Sequence, residues 1–190
     1  MKPFVEVTTD TRQLDAPIDG AGFQRNSNGL SARVGSTFEL TRTLTGEISA
    51  GYVTRKYADA RLPELRGATL DASLIWTASP LTTVTLRAAT TANETTIVNS
   101  SGYISRRASV EVSHALLRNL TLSGIAQWQN DKYQGIALNQ DTFAGTFRAD
   151  YSLTRSVVVR GSFTHERLKS SVPGSDYTAN VYLLGLRLQR

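Results

Sequence analysis

Apolar and polar residues alternate along almost the whole chain with a period of two, which only an extended strand converts into two distinct faces. From Gly29 to Thr41, Leu30, Ala32, Val34, Phe38 and Leu40 share one parity, while Ser31, Arg33, Thr37 and Glu39 share the other. Past a turn at Arg42-Thr43, Leu44, Gly46, Ile48, Ala50 and Tyr52 oppose Thr45, Glu47, Ser49 and Arg55. The next pair sets Leu70, Ala72, Leu74 and Trp76 against Thr69, Asp71, Ser73 and Thr77, turns at Ser79-Pro80, and sets Val84, Leu86 and Ala88 against Thr83, Thr85 and Arg87. After a loop from Asn93 to Gly102, Ala108, Val110 and Val112 oppose Arg107, Ser109 and Glu111. A turn at Arg118-Asn119 leads to Leu120, Leu122, Gly124, Ala126 and Trp128 against Thr121, Ser123, Gln127 and Gln129. A loop from Asn130 to Asp141 is expected next. Then Phe143, Gly145, Phe147, Ala149 and Tyr151 oppose Thr142, Thr146, Arg148 and Asp150. A turn at Thr154-Arg155 precedes Val157, Val159 and Phe163 against Arg160, Ser162 and Glu166. A Gly-Pro loop from Ser170 to Asp176 leads to Tyr182, Leu184, Leu186 and Leu188 against Leu183, Gly185, Arg187 and Gln189. With an opening segment from Phe4 to Thr9, whose Val5 and Val7 favour the parity opposite to Phe4, the pattern predicts ten strands.

Short signatures recur at Phe4-Val5, Leu44-Thr45, Val84-Thr85, Leu120-Thr121 and Val157-Val158, each where a strand follows a turn. Short turns alternate with longer loops, the record of an all-β, antiparallel up-and-down meander. Most of the strands run about 10 to 14 residues, against about 5 or 6 in globular proteins, and a tilted membrane-spanning strand needs about 9 to 11. Length therefore points to a transmembrane β-barrel, with short turns and both termini on the periplasmic side and long loops outside. The apolar parity carries Phe38, Trp76 and Tyr151 just before short turns and Tyr52, Trp128, Phe143 and Phe163 toward long loops, the placement of two aromatic girdles. A soluble lipocalin-like ligand-binding barrel would also put aromatics on one parity, but it seldom needs strands this long.

Composition alters this picture little. The chain has 190 residues, 40% of them hydrophobic and 19% charged, values ordinary for a soluble single domain. No run approaches the roughly 18 apolar residues of a membrane helix, and the mean hydropathy is −0.23. The net charge is +5 with cations scattered singly among acids, which argues against a nucleic-acid partner. There are no cysteines. After Met1-Lys2 comes Pro3 and then a strand-like segment, with no signal-peptide pattern; together with a first signature already at Phe4, this leads to the expectation of further strands upstream.

On the polar parity stand Arg33, Glu39, Glu47, Arg55, Asp71, Arg87, Arg107, Glu111, Arg148, Asp150, Arg160, Glu166 and Arg187. Charges facing an enclosed lumen have to be hydrated or paired. Two arrangements are open: an aqueous, selective pore lining in a wide barrel, or a salt-bridge ladder filling a narrow one. An outer-membrane hydrolase is the competing class, and its candidates would be the two histidines, His114 and His165. Both fall on the apolar parity near opposite rims, where interface anchoring accounts for them, and Glu166 beside His165 points the other way. Neither a metal set nor a phosphate-binding glycine loop is visible, so no catalytic residue and no cofactor is expected. The segment Arg55-Lys56-Tyr57-Ala58-Asp59-Ala60-Arg61 reads as a solvated, self-paired loop before it reads as a site for an anionic sugar or a lipopolysaccharide phosphate.

The chain resembles the C-terminal portion of the putative β-barrel porin type 2 family of outer-membrane proteins. The matching stretches are Asn26-Ser27-Asn28-Gly29-Leu30, Gly51-Tyr52-Val53-Thr54-Arg55-Lys56-Tyr57, Leu81-Thr82-Thr83-Val84-Thr85-Leu86, His114-Ala115-Leu116-Leu117-Arg118-Asn119-Leu120, and the end from Asp176-Tyr177-Thr178 through Leu186-Arg187-Leu188-Gln189-Arg190. The resemblance implies a barrel in the outer membrane of a Gram-negative bacterium, either closed and narrow or part of a larger one. It further implies porin-like passive diffusion or a scaffold role, with a link to exopolysaccharide export in some relatives. The implied partners are outer-membrane lipid, lipopolysaccharide, the barrel-assembly machinery and small solutes or polysaccharide. No catalytic residue comes with it.

Overall fold

The computed structural model describes residues 1–15 and 18–188. It contains ten strands: β1 (Lys2–Arg12), β2 (Ser27–Thr41), β3 (Leu44–Tyr57), β4 (Leu65–Ser79), β5 (Thr82–Glu94), β6 (Gly102–Leu117), β7 (Leu120–Gln134), β8 (Asn139–Ser152), β9 (Val157–Ser170) and β10 (Tyr177–Leu188). They pair antiparallel in strict chain order, so the fold is an up-and-down meander whose outermost members are β1 and β10. Strands range from 11 residues in β1 to 16 in β6.

Turns at residues 42–43, 80–81 and 118–119 join strands at one end. Beside each, the register shifts, between Glu39 and Thr41, Thr77 and Ser79, and Ala115 and Leu117. A bulge of this kind strengthens the local right-handed twist and bends its strand. The fourth turn, residues 153–156, is longer and has no register shift beside it.

Two boundaries differ from the sequence expectation. The loop expected between Asn130 and Asp141 shrinks to residues 135–138, because Asn130, Asp131 and Lys132 pair with Asp141, Gln140 and Asn139. Amide side chains hold that polar rung: Asn130 Nδ2 donates to Asn139 Oδ1 at 2.9 Å and to Asp141 Oδ1 at 3.0 Å. Residues that look like a loop by composition are therefore strand by cross-strand pairing. The opening strand is longer than Phe4–Thr9, and Val5 and Val7 lie on its exposed apolar side while Phe4 seats over Gly35, where the absent side chain leaves room for the ring. Gln189, expected at the end of the last strand, and Arg190 fall outside the described residues.

Burial inverts the order of a water-soluble domain. Among the described residues the buried hydrophobic side chains are Phe23, Leu62, Leu65, Ile104 and Val158, whereas Leu30, Val34, Ile48, Leu70, Trp76, Leu86, Val112 and Phe147 are all exposed. Those exposed residues share the apolar face. Alternation alone says that a strand has two faces; in the folded sheet the apolar one is left exposed. Leaving such area in water costs about 25 cal/mol per Å², so the environment that covers it has to be apolar.

Candidate pore-lining face and loop cluster

The register brings all thirteen charged residues of the polar parity to one face, where they fall into distinct groups. On the first strands, Arg33 donates to Glu6 at 2.7 Å and lies 3.8 Å from Asp71. On β6 to β9, Arg148 reaches across β7 to Glu111 at 2.5 Å and lies 3.6 Å from Asp150, which accepts from Arg160 at 2.5 Å. Arg107 hydrogen-bonds Gln129, Gln129 hydrogen-bonds Asp131, and Glu166 accepts from the Tyr177 hydroxyl at 2.5 Å. Glu39, Glu47, Arg87 and Arg187 share this face and, among the described residues, join no ion pair. Part of the set is thus a ladder and part is exposed charge. Pairs this open to solvent are screened, so they orient the face more than they hold it.

Arg55 behaves differently. It has the polar parity but is only 4% exposed, with Nη2 2.5 Å from Asp10, Nη1 2.9 Å from Ser27 Oγ and 3.6 Å from Glu94. The cause lies in β5 and β6. The pairing of β5 to β4 stops at Asp71 and Ala89, and above that point the tip of β5 and β6 parts from β4 while β6 stays paired with β7. Glu94 and Ile104, on the apolar parity, turn onto the polar face of β2 to β4: Glu94 accepts from Ser27 Oγ at 2.8 Å, and Ile104 packs at Gly67. Leu65, fully buried, packs beside Gly102.

The long loops close over this tip. Arg25, 6% exposed, donates Nε to Asp19 at 2.5 Å, Nη1 to the Thr95 and Ser100 carbonyls at 2.6 and 2.9 Å, and Nη2 to the Ile97 carbonyl at 3.2 Å. Arg61 grips Asp59 with two nitrogens and stacks 4.6 Å from the Phe23 ring. The self-paired reading of residues 55–61 holds for Asp59 and Arg61, whereas Arg55, Lys56 and Tyr57 belong to β3. Gly135, at φ +92°, lets loop 135–138 pass close to the Asn99 carbonyl. Nothing in the sequence marks this cluster, because its partners are up to 75 positions apart.

Asp19 and Asp59 are both held below the usual carboxylate range, Asp19 chiefly by the Arg25 guanidinium and Asp59 chiefly by that of Arg61. A carboxylate whose folded pKa is depressed stabilises the fold above its unfolded value, and that stabilisation is lost as pH falls through the folded value. The loop cluster is therefore expected to stay closed at about pH 5 and to open only well below about pH 4. Limited pepsin digestion across that range checks this: cleavage between residues 13 and 26 already at pH 5 would contradict it.

The aromatics named from the sequence lie on the exposed apolar face. Tyr52, Trp76, Phe143 and Tyr151 are exposed, Phe38 seats over Gly46, Trp128 Nε1 donates to Asp141 at 3.3 Å, and Phe163 lies 4.8 Å from Tyr182. His114 Nδ1 meets Thr82 Oγ1 at 2.9 Å and His165 Nδ1 meets Asn180 Oδ1 at 2.8 Å, both on cross-strand neighbours. Among the described residues neither histidine hydrogen-bonds a carboxylate, and the two sit on different hairpins.

A family described as putative beta-barrel porin 2 matches residues 1–190 of this chain. The chain belongs to that family. A search of the curated proteins finds no match. Membership in a β-barrel porin family accounts for the inverted burial: the exposed apolar face of this porin-family chain is the one a membrane-embedded barrel turns to lipid. No helix among the described residues is long and apolar enough to cross a membrane, and barrel strands need none.

Proposed function

We propose that the chain forms the wall of an outer-membrane channel through which small hydrophilic solutes diffuse passively, with no catalytic step. The observation that carries this reading is the division of most strands into an exposed apolar face and a face of charged and polar side chains, the arrangement of a pore lining in a β-barrel. In lipid the free edges of β1 and β10 have to be satisfied by strand pairing, so the functional state is a closed barrel. A non-catalytic role fits the histidines, which hydrogen-bond neutral side chains near the interfaces. Folding into the membrane would pass through the barrel-assembly machinery.

A saccharide is a second solute class, favoured by the polar faces of β6 and β7. There Tyr103 and Tyr133 stack with centroids 4.9 Å apart, above the hydrogen-bonded run of Arg107, Gln129 and Asp131. Aromatic rings beside planar polar groups suit sugar rings, in keeping with the polysaccharide link of related proteins.

The test is single-channel recording in planar bilayers, with detergent-gel migration before and after heating as the check on folding. Stepwise ohmic conductance from heat-modifiable protein is expected. Heat-modifiable protein that never conducts would remove the channel and leave a scaffold; a block by maltodextrins and not by simple salts would favour the saccharide solute.

A further inference from the structure

Of the exposed cations on the apolar face at the long-loop rim, which also include Arg106 and Lys169, four are placed by their register to the girdle aromatics. Lys56 lies two outward positions beyond the girdle residue Tyr52 on β3, and Lys132 two beyond Trp128 on β7. Arg66 on β4 is the cross-strand partner of Thr54, which lies between Tyr52 and Lys56, and Arg167 on β9 is the partner of Phe143. All four are exposed, and among the described residues none joins an ion pair. Two carboxylates near them are engaged by other groups: Glu64 accepts from the Thr54 hydroxyl, and Asp141 from Trp128, Asn130 and Asn139.

The contrast with the rest of the molecule gives these positions meaning. Most cations of the polar face and of the loops are ion-paired or hydrogen-bonded to the protein's own side chains or carbonyls, whereas this set points outward unmatched. Its height is set by the aromatics, because Tyr and Trp rings settle at the headgroup level. A cation at that level, or one or two outward positions past it, meets headgroup phosphates, and an arginine fork matches a phosphate with two parallel hydrogen bonds. An attraction of this kind is appreciable for each cation held near an anionic surface.

We infer that Lys56, Arg66, Lys132 and Arg167 form a belt that binds the phosphates of an outer-leaflet glycolipid. The inference rests on the membrane reading above. It assigns the cations of the barrel's outer wall to lipid, separate from the charges that line its inner face.

The experiment uses the full chain folded in neutral detergent, with the temperature at which heat-modifiable migration is lost as readout. The probes are lipid A carrying both phosphates, its dephosphorylated form, and inorganic phosphate. The two-phosphate lipid is expected to raise the transition, the dephosphorylated lipid and inorganic phosphate are not, and replacing all four residues by Gln is expected to weaken the apparent affinity about tenfold or more. Lys56→Arg with Lys132→Arg, which keeps the charge, should retain binding. Equal shifts with both lipids, an undiminished shift in the Gln variant, or a full effect of inorganic phosphate alone would each overturn the belt. Should the fourfold variant not fold, the pairs Lys56→Gln/Arg66→Gln and Lys132→Gln/Arg167→Gln decide the matter, each expected to lose part of the affinity. Absence of any heat-modifiable form of the unaltered chain would instead take down the membrane reading and the belt with it.

Discussion

Arg55→Ala is expected to lower stability by about 2 to 3 kcal/mol, the cost of losing a buried guanidinium and its charge-assisted hydrogen bonds to Asp10 and Ser27. Arg55 is the one member of the sequence-predicted charge set that is nearly sealed from solvent, and it ties three elements together: β1 through Asp10, β2 through Ser27, and the tip of β5 through Glu94. Removing it leaves Glu94 turned toward the polar face with Arg12, at 3.4 Å, as its remaining cation. The tip of β5 and β6 should then detach, exposing Ser100 and Ser101, which are fully buried. Equilibrium unfolding in urea with the protein in detergent measures the loss. Because the chain has no cysteine, a Ser100→Cys variant adds a clean local probe: its thiol should be inert in the parent and react with a charged reagent once Arg55 is gone. Arg160→Ala is the comparison, since that pair is half-exposed and its loss is expected to cost at most about 1 kcal/mol. Equal losses in the two variants would mean that Arg55 is not the closure it is taken to be.

Phe147→Arg is expected to destabilise the folded protein by about 2 to 4 kcal/mol in a bilayer, the cost of a cation near the midplane on the lipid side of a barrel. Phe147 is 53% exposed, and in a water-soluble protein a change at so open a position would stay within about 0.5 kcal/mol. The size of the effect therefore reports the solvent. Gln127→Arg, on the polar face of the adjacent strand, serves as the control and should be nearly neutral. Folding yield into phosphatidylcholine vesicles under a urea gradient separates the two substitutions. A Phe147→Arg protein as stable as its Gln127→Arg counterpart would remove the argument that lipid covers the apolar face.

Much of this was legible from single residues. Alternation assigned Arg33, Glu111, Arg148, Asp150 and Arg160 to one face and Leu70, Leu86, Val112 and Phe147 to the other, because a strand turns each successive side chain through half a revolution whatever its neighbours do. The register that brings Arg148 to Glu111 across β7 was not legible. Pairing offsets depend on where each turn ends and on three bulges, and a shift of a single residue would exchange the faces. The rung formed by Asn130, Asp131 and Lys132 was misread as loop for the same reason: polar residues become strand when their cross-strand partners can satisfy them.

The sequence by itself determined the all-β meander, the number of its strands, the two faces and the family, since each follows from local periodicity and length. Tertiary structure alone decided which polar-face residues are buried. Arg25 and Arg55 look like any other scattered cation in the chain, and they become the ties of a closed loop cluster only because the tip of β5 and β6 leaves β4 and folds onto strands that began more than fifty positions earlier. Contacts that distant carry no local signature, because the pairing is chosen by the shape of the folded sheet and not by neighbouring side chains.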